Sequence, residues 1–137
     1  MSIQSTINDI LDNSKTIAVV GASSNEKRDS NRIFKYLLEA GYTVIPVNPG
    51  ETEVLGQKAY PDLASVPVKV DVVDIFRRPE FVPDIVDAAI AIRAKSVWMQ
   101  LGIRDAAAAK KARAAGLAVV QDRCIYVEHF KHHEGEA

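Results

Sequence analysis

The chain has 137 residues, enough for one domain with a substantial core and too few for two of ordinary size. Its 17 basic and 18 acidic side chains leave a net charge of −1, which excludes a global field that would recruit nucleic acid or an anionic membrane, so any phosphate site must be local. A single cysteine, Cys124, excludes an intrachain disulfide and a cysteine-built zinc centre.

The opening stretch, MSIQSTINDILDNSK, carries acids and lacks the basic region and apolar run of a signal peptide. No later stretch has the length and apolarity of a membrane span, and the chain reads as cytoplasmic. Ile7, Ile10 and Leu11 share one helical face behind Ser5 and Thr6, two residues suited to capping, and predict an N-terminal helix within residues 1–14. Thr16 to Val20 is a first strand. The loop behind it reaches Asp29 and Ser30, either suited to cap a helix whose apolar face is Ile33, Tyr36, Leu37 and Ala40 and which Gly41 closes. Thr43 to Val47 forms a second strand stopped by Asn48-Pro49-Gly50, with Pro46 as an irregularity inside it.

A long connection from Glu51 to Pro67 follows, with one helical turn around residues 62–65. Val70 to Phe76 is a third strand, and Pro79 opens a helix at a position where a missing N–H costs nothing; Val82, Ile85, Val86 and Ala89 form its buried face. Ser96 to Met99 is a fourth strand. Asp105 caps an alanine-rich helix ended by Gly116, Leu117 to Val120 is a fifth strand, and a polar tail with a helical turn begins at about residue 129.

Strands alternating with helices at this spacing imply a Rossmann-like α/β fold: a doubly wound parallel five-stranded sheet in an α/β/α sandwich, joined by right-handed crossovers. The expected strand order is 3-2-1-4-5. In that order the ligand crevice lies beside the first strand, between the loops after strands one and four.

The residues that leave the carboxyl ends of the strands form a chemically consistent set. Strand one supplies Gly21, Ala22 and Ser23, preceded by the apolar run TIAVV; strand two supplies Asn48, Pro49 and Gly50; strand three supplies Phe76, Arg77 and Arg78. Strand four contributes Gln100 and Gly102, and strand five contributes Gln121, Asp122, Arg123 and Cys124. Glycines that permit close approach, hydroxyl and amide donors, and arginines suited to phosphate converge on one rim. The set points to a phosphate-bearing ligand.

Which ligand follows from what the loops lack. The dinucleotide fingerprint G-x-G-x-x-G has three glycines where the loop after the first strand has one, and the acid that holds an adenosine ribose at the end of strand two is here Asn48. No Walker lysine follows the first strand. These features disfavour NAD and ATP-driven phosphoryl transfer.

Gly21-Ala22-Ser23, Val47-Asn48-Pro49-Gly50, VWMQLGI from Val97 to Ile103 and the Asp122-Arg123-Cys124 block together resemble the small bacterial CoA-binding proteins, which are similar to the CoA-binding domain of the succinyl-CoA synthetase alpha subunit. The resemblance runs from about Lys15 to His129. It implies that Gly21, Ala22 and Ser23 meet the CoA diphosphate through backbone N–H groups, and that Val47, Asn48 and Pro49 line the adenine and ribose end. The synthetase carries a phosphorylated histidine on a second domain, whereas the histidines here, His129, His132 and His133, lie in the tail. It also has a lysine near the ribose 3′-phosphate where this chain reads Glu51, so Lys27, Arg28 or Lys58 must be weighed for that contact.

Each of these residues also has a plainer reading. Arg77 and Arg78 either meet phosphate or belong to a solvated loop with one arginine pairing Glu80 or Asp84. Trp98 lies in an apolar strand and reads as core. The run HFKHHEGEA reads as a solvated tail without a metal. Cys124 is a small apolar filler or a thiol at the rim between opposing neighbours, Asp122 and Arg123; His129 is the histidine nearest to it in sequence. The function these observations favour is binding of coenzyme A or an acyl-CoA through Gly21, Ala22, Ser23, Arg28, Val47, Asn48, Pro49, Phe76, Arg77, Arg78, Gln100, Gly102 and Cys124, as a carrier, sensor or partner module. The alternative is an enzyme, either a CoA-thioester transferase or a dinucleotide-dependent oxidoreductase. A homodimer or a protein partner stays open, and neither nucleic acid nor membrane is an expected partner.

Overall fold

The computed structural model describes residues 2–136. The chain runs through α1 (Ile3–Asn13), β1 (Thr16–Val20), α2 (Asp29–Glu39), β2 (Thr43–Val47), β3 (Glu53–Val54), β4 (Gln57–Lys58), β5 (Val72–Ile75), α3 (Val82–Ala91), β6 (Ser96–Met99), α4 (Ala106–Ala114), β7 (Ala118–Val120) and α5 (Ile125–Glu136). Strands β1, β2, β5, β6 and β7 are the five expected from the sequence and form one parallel sheet, while β3 and β4 make a separate antiparallel hairpin.

Alternation along the strands sorts the apolar side chains into two cores. Ile17 and Val19 of β1 pack with Ile7, Leu11, Phe34, Leu37, Trp98 and Ile125 beneath α1, α2 and α5. Ala18 and Val20 pack on the other face with Val86, Ala89, Ala109 and Ala112 of α3 and α4. Helices on both faces of a parallel sheet explain why its strands read as continuous apolar runs. Trp98 is fully buried, as its strand position predicts.

The strand order differs from the expectation. It is β2-β1-β5-β6-β7, which in the order of the five main strands is 2-1-3-4-5 rather than 3-2-1-4-5. The outer edge of β2, where a third strand was expected, is occupied by the connection that follows it. Tyr60 N–H donates to the Pro46 carbonyl at 3.0 Å and Asn48 N–H donates to the Tyr60 carbonyl at 2.9 Å. Because the Pro46 carbonyl points to that edge, the N–H that proline lacks is missing there and not from the ladder with β1. The third main strand, β5, crosses instead to the far side of β1. There the Asp71 carboxylate accepts from the N–H groups of Lys15 and Thr16 at 2.8 and 3.0 Å. Partial burial pushes the Asp71 carboxyl up, but these N–H groups and Lys95 outweigh it and hold it below the usual carboxylate range.

Three local expectations are corrected. The cap of α1 is Ser2, whose hydroxyl oxygen accepts from Ser5 N–H at 3.1 Å, so Ser5 and Thr6 lie inside the helix. Neither Asp29 nor Ser30 caps α2: Arg28 occupies the cap position and no side chain accepts from the first turn. The stretch from residue 129 is not a single turn but the continuation of α5: His129 is buried, with Tyr36 Oη 2.7 Å from its Nδ1, while Phe130, Lys131, His133 and Glu134 stay exposed. That helix lacks a clean apolar period because its buried positions are Ile125, Glu128 and His129, two of them polar. Among the described residues no helix is long and apolar enough to cross a membrane, and no group of three or more His, Cys, Asp or Glu could hold a metal ion.

Candidate functional site

The strand order decides which loops meet. Because β1 lies between β2 and β5, the direction of winding reverses beside β1, and the crevice opens between the loops after β1 and β5 rather than after strands one and four. Gly21 sits at this junction with φ +90°, and its N–H donates to the Val47 carbonyl at 2.9 Å. A Cβ at Gly21 would lie 2.7 Å from the Phe76 carbonyl oxygen and 3.1 Å from Arg77 Cδ. Only glycine lets the two loops touch in this way.

Two asparagines then hold the loop by its carbonyls. Asn48 Nδ2 donates to the Ala22 carbonyl at 2.8 Å while its Oδ1 accepts from Gly50 N–H at 2.9 Å. Asn31 Nδ2 donates to the Ser23 carbonyl at 2.9 Å. The N–H groups of Ala22 and Ser23 find no acceptor among the described residues. The Ala22 side chain itself is buried in the core, so any ligand contact it makes is through its backbone.

The first turn of α2 opens on the same space. A helix terminus leaves its first N–H groups unpaired and carries partial positive charge, and here no side chain caps it. A cavity of about 940 Å³ lies in front of it, lined by Gly21, Ser23, Lys27, Arg28, Asn48 and Arg77 among others. Uncapped N–H groups, two amide-pinned carbonyls and several cations form an anion cradle.

Two smaller cavities adjoin this one. One, of about 270 Å³, lies at the β2 end between Val47, Pro49, Leu63, Phe81 and Ile85. The other, of about 390 Å³, lies on the opposite side between Ile33, Phe76, Pro79, Gln100, Ile103 and Cys124. Arg77 lines all three cavities. Its guanidinium carbon lies 4.2 Å from the centre of the Phe81 ring, a cation–π contact that orients the side chain without neutralising it. The Arg78 Nε is paired with Glu80 at 2.9 Å on the exposed surface. The two arginines adjacent in sequence therefore differ: one is braced inside the crevice and the other is engaged at its rim.

The far cavity is bounded by segments that the sheet core holds in place. Trp98 Nε1 donates to the Arg123 carbonyl at 2.8 Å, and Gln100 Oε1 accepts from Ile125 N–H at 3.1 Å. Asp122 turns away to accept from Gly102 N–H at 2.6 Å and from Arg104 Nε at 3.2 Å. The N–H of Gly102 and the Arg104 guanidinium hold its carboxyl below the usual range. Arg123 extends toward Glu128, Nη1 to Oε1 3.7 Å, so the opposing charges expected at Cys124 are both directed elsewhere.

Of the residues singled out from the sequence, Gly21, Ser23, Arg28, Val47, Asn48, Pro49, Phe76, Arg77, Arg78, Gln100 and Cys124 line at least one of the three cavities. Gly102 lines none of them; it occupies an exposed turn at φ +84°. Lys58 lines none of them either and lies over the Tyr60 ring. His129 belongs to a separate aromatic cluster with Tyr36 and Tyr42. Sequence reasoning missed Ile33, Leu101, Ile103 and Phe81. Phe81 carried a readable signal, since it lies three residues after Arg78 on the turn begun by Pro79.

A family model described as "CoA binding domain" matches residues 15–130. The uncharacterized protein YneT of Bacillus subtilis (strain 168) is 38% identical over 123 residues, covering 90% of this chain and 91% of that protein. An ADP-forming acetate–CoA ligase I of Archaeoglobus fulgidus is 38% identical over 73 residues, which is 53% of this chain and 11% of the ligase. Among solved structures, a hypothetical protein from Pyrococcus horikoshii OT3 superposes with a TM-score of 0.91 at 45% identity, over 95% of this chain and 92% of that one.

Proposed function

The chain belongs to the CoA binding domain family, and we propose that it holds coenzyme A or an acyl-CoA along the crevice, as a carrier, sensor or partner module. The diphosphate lies at the uncapped start of α2 and the N–H groups of Ala22 and Ser23. Lys27, Arg28 and Arg77 supply the balancing charge. The adenosine occupies the apolar cavity of Val47, Pro49 and Phe81, and the pantetheine arm extends toward Gln100 and Cys124. The ligand brings a long arm ending in a thiol, and the chain supplies its anchoring.

The observation that carries this reading is the position of Arg77 in all three cavities. A ligand with apolar or weakly polar groups on both sides of a charged centre fits one cation bordered by two mainly apolar hollows. Asn48 supports CoA over NAD, because its side chain is committed to Ala22 and Gly50 and offers no carboxylate for a ribose diol.

Thermal unfolding with each ligand tests the reading. CoA at a hundredfold excess over its dissociation constant adds about 2.7 kcal/mol to the unfolding free energy, which raises the melting temperature by several degrees. NAD at equal concentration is expected to give no shift. A larger shift with NAD than with CoA would overturn the proposal.

A further inference from the structure

We propose that Cys124 is a thiol–disulfide exchange site addressed by the disulfide of the bound ligand class, so that the protein takes up one CoA covalently from CoA disulfide. The inference rests on the reading that the crevice holds CoA, and adds to it a modification at the far end of the arm.

Two independent observations carry it. Cys124 is a free, half-buried cysteine lining the cavity of about 390 Å³ that shares Asp29, Phe76, Arg77 and Arg78 with the anion cradle. A ligand anchored by its phosphates at α2 thus has a continuous path to this sulfur. The second observation is Gln100, only 5% exposed and lining the same cavity. Its Oε1 is committed to Ile125 N–H, which assigns the amide orientation, and among the described residues nothing accepts from its Nε2. A donor at the cavity wall that no protein acceptor engages is free to meet one on a ligand. The amide carbonyls of a pantetheine arm are acceptors of that kind, and one of them on Nε2 would bring the arm's terminal sulfur toward Cys124.

The cysteine segment is also held in place before any ligand enters. Arg123 N–H donates to the Met99 carbonyl at 3.3 Å, its carbonyl accepts from Trp98, and the Cys124 carbonyl accepts from Glu128 N–H at 3.0 Å. The sulfur immediately precedes α5, whose N-terminal end favours the negative charge shared by three sulfurs during exchange.

In the step itself the Cys124 thiolate attacks one sulfur of CoA disulfide. One S–S bond forms between Cys124 and CoA, the original S–S bond breaks, and the second CoA leaves as its thiolate. The thiol proton passes to solvent, and the exchange needs no further oxidant because CoA disulfide carries the oxidation. A thiol reductant reverses it by the same route.

The test incubates the full chain with CoA disulfide or with glutathione disulfide at equal concentration and follows intact mass, while calorimetry measures CoA binding in parallel. The expected result is a single reducible CoA adduct, absent in Cys124→Ser and formed at least about tenfold faster than the glutathione adduct. Arg77→Ala, which removes the cation of the cradle, is expected to slow the CoA adduct by more than it slows the glutathione adduct. CoA binding by calorimetry with no adduct, or with an adduct forming at the glutathione rate, would overturn the exchange site and leave the binding reading intact. Absence of CoA binding would overturn both.

Discussion

Glu51, in the loop after β2, reaches Ser24 in the loop after β1, its Oε2 accepting from the Ser24 N–H at 2.9 Å and from the Ser24 hydroxyl at 3.1 Å. A carboxylate thus occupies a backbone N–H of the loop that leads into the anion cradle. It clasps the loops after β1 and β2 together and adds a negative charge to the loop that leads into the cradle. Glu51→Gln keeps an oxygen acceptor for Ser24 and removes the charge. CoA affinity is expected to rise by a few fold, in line with the roughly 1 kcal/mol between unit charges about 4 Å apart in a water-like dielectric, and the gain should shrink as salt is added. Calorimetric titration at two ionic strengths measures both effects; weaker binding by the variant would show that the clasp matters more than the charge.

Arg77 and Arg78 are expected to separate on mutation. Arg77→Ala removes the cation common to the three cavities and should weaken CoA by about 1.5–3 kcal/mol, the range of a hydrogen bond to a charged group. Arg78→Ala breaks a surface pair with Glu80, and such pairs contribute about 0–1 kcal/mol. Equal losses in the two titrations would contradict the assignment.

Gly21→Val tests the fold before it tests the site. The substituted residue must adopt φ +90° or move, and its Cβ would press on the Phe76 carbonyl at 2.7 Å. Stability is expected to fall by about 1–3 kcal/mol, read as a lower urea midpoint without ligand. A variant as stable as the parent would show that the β1 and β5 loops separate at little cost.

Asp74 offers a stability test independent of the ligand. It lies in the middle of β5, in register with Val19 and Trp98, with both carboxyl oxygens buried and unpartnered, and burial pushes its carboxyl well above the usual range. The folded state therefore holds a proton that the unfolded state releases near pH 4. The contribution of Asp74 is most favourable below that pH and is lost as pH rises toward the raised folded value. Asp74→Val removes the unsatisfied group and should stabilise the chain near neutral pH by about 1–3 kcal/mol. The advantage should be larger at pH 8 than at pH 4.5. Urea unfolding at the two pH values checks it, and an advantage that shrinks with rising pH would refute the protonated assignment.

The local elements were legible because their signals are short-range. Apolar runs at 16–20, 43–47 and 96–99 read as buried strands because they are too short for helices and are bounded by polar or turn residues, and Gly41 and Gly116 stop helices through a backbone conformation that few other residues adopt. Two caps were misplaced by a few residues. Ser2 at α1 won over Ser5 and Thr6 by reaching a free N–H, while α2 begins with no side-chain cap where the sequence offered two.

The strand order lay beyond that range. Whether the third main strand joins β2 or crosses to β1 depends on where the connection after β2 packs, and that depends on Tyr60 pairing with Pro46 and Asn48 at the sheet edge. No periodicity in residues 51–67 encodes such a contact. Most of the rim residues expected from sequence still line the crevice, because in either order they leave the carboxyl ends of the strands, whereas Ile33 and Phe81 come from a helix and a turn and were not foreseen. The division of labour at the rim was not legible either: which arginine faces inward, that Asn48 supports a loop, and that Glu51 sits against Ser24. Sequence by itself determined the chemical kinds present at the rim, since strand direction alone brings those residues there. Tertiary structure decided which of them share a cavity, because that is set by which strands lie side by side.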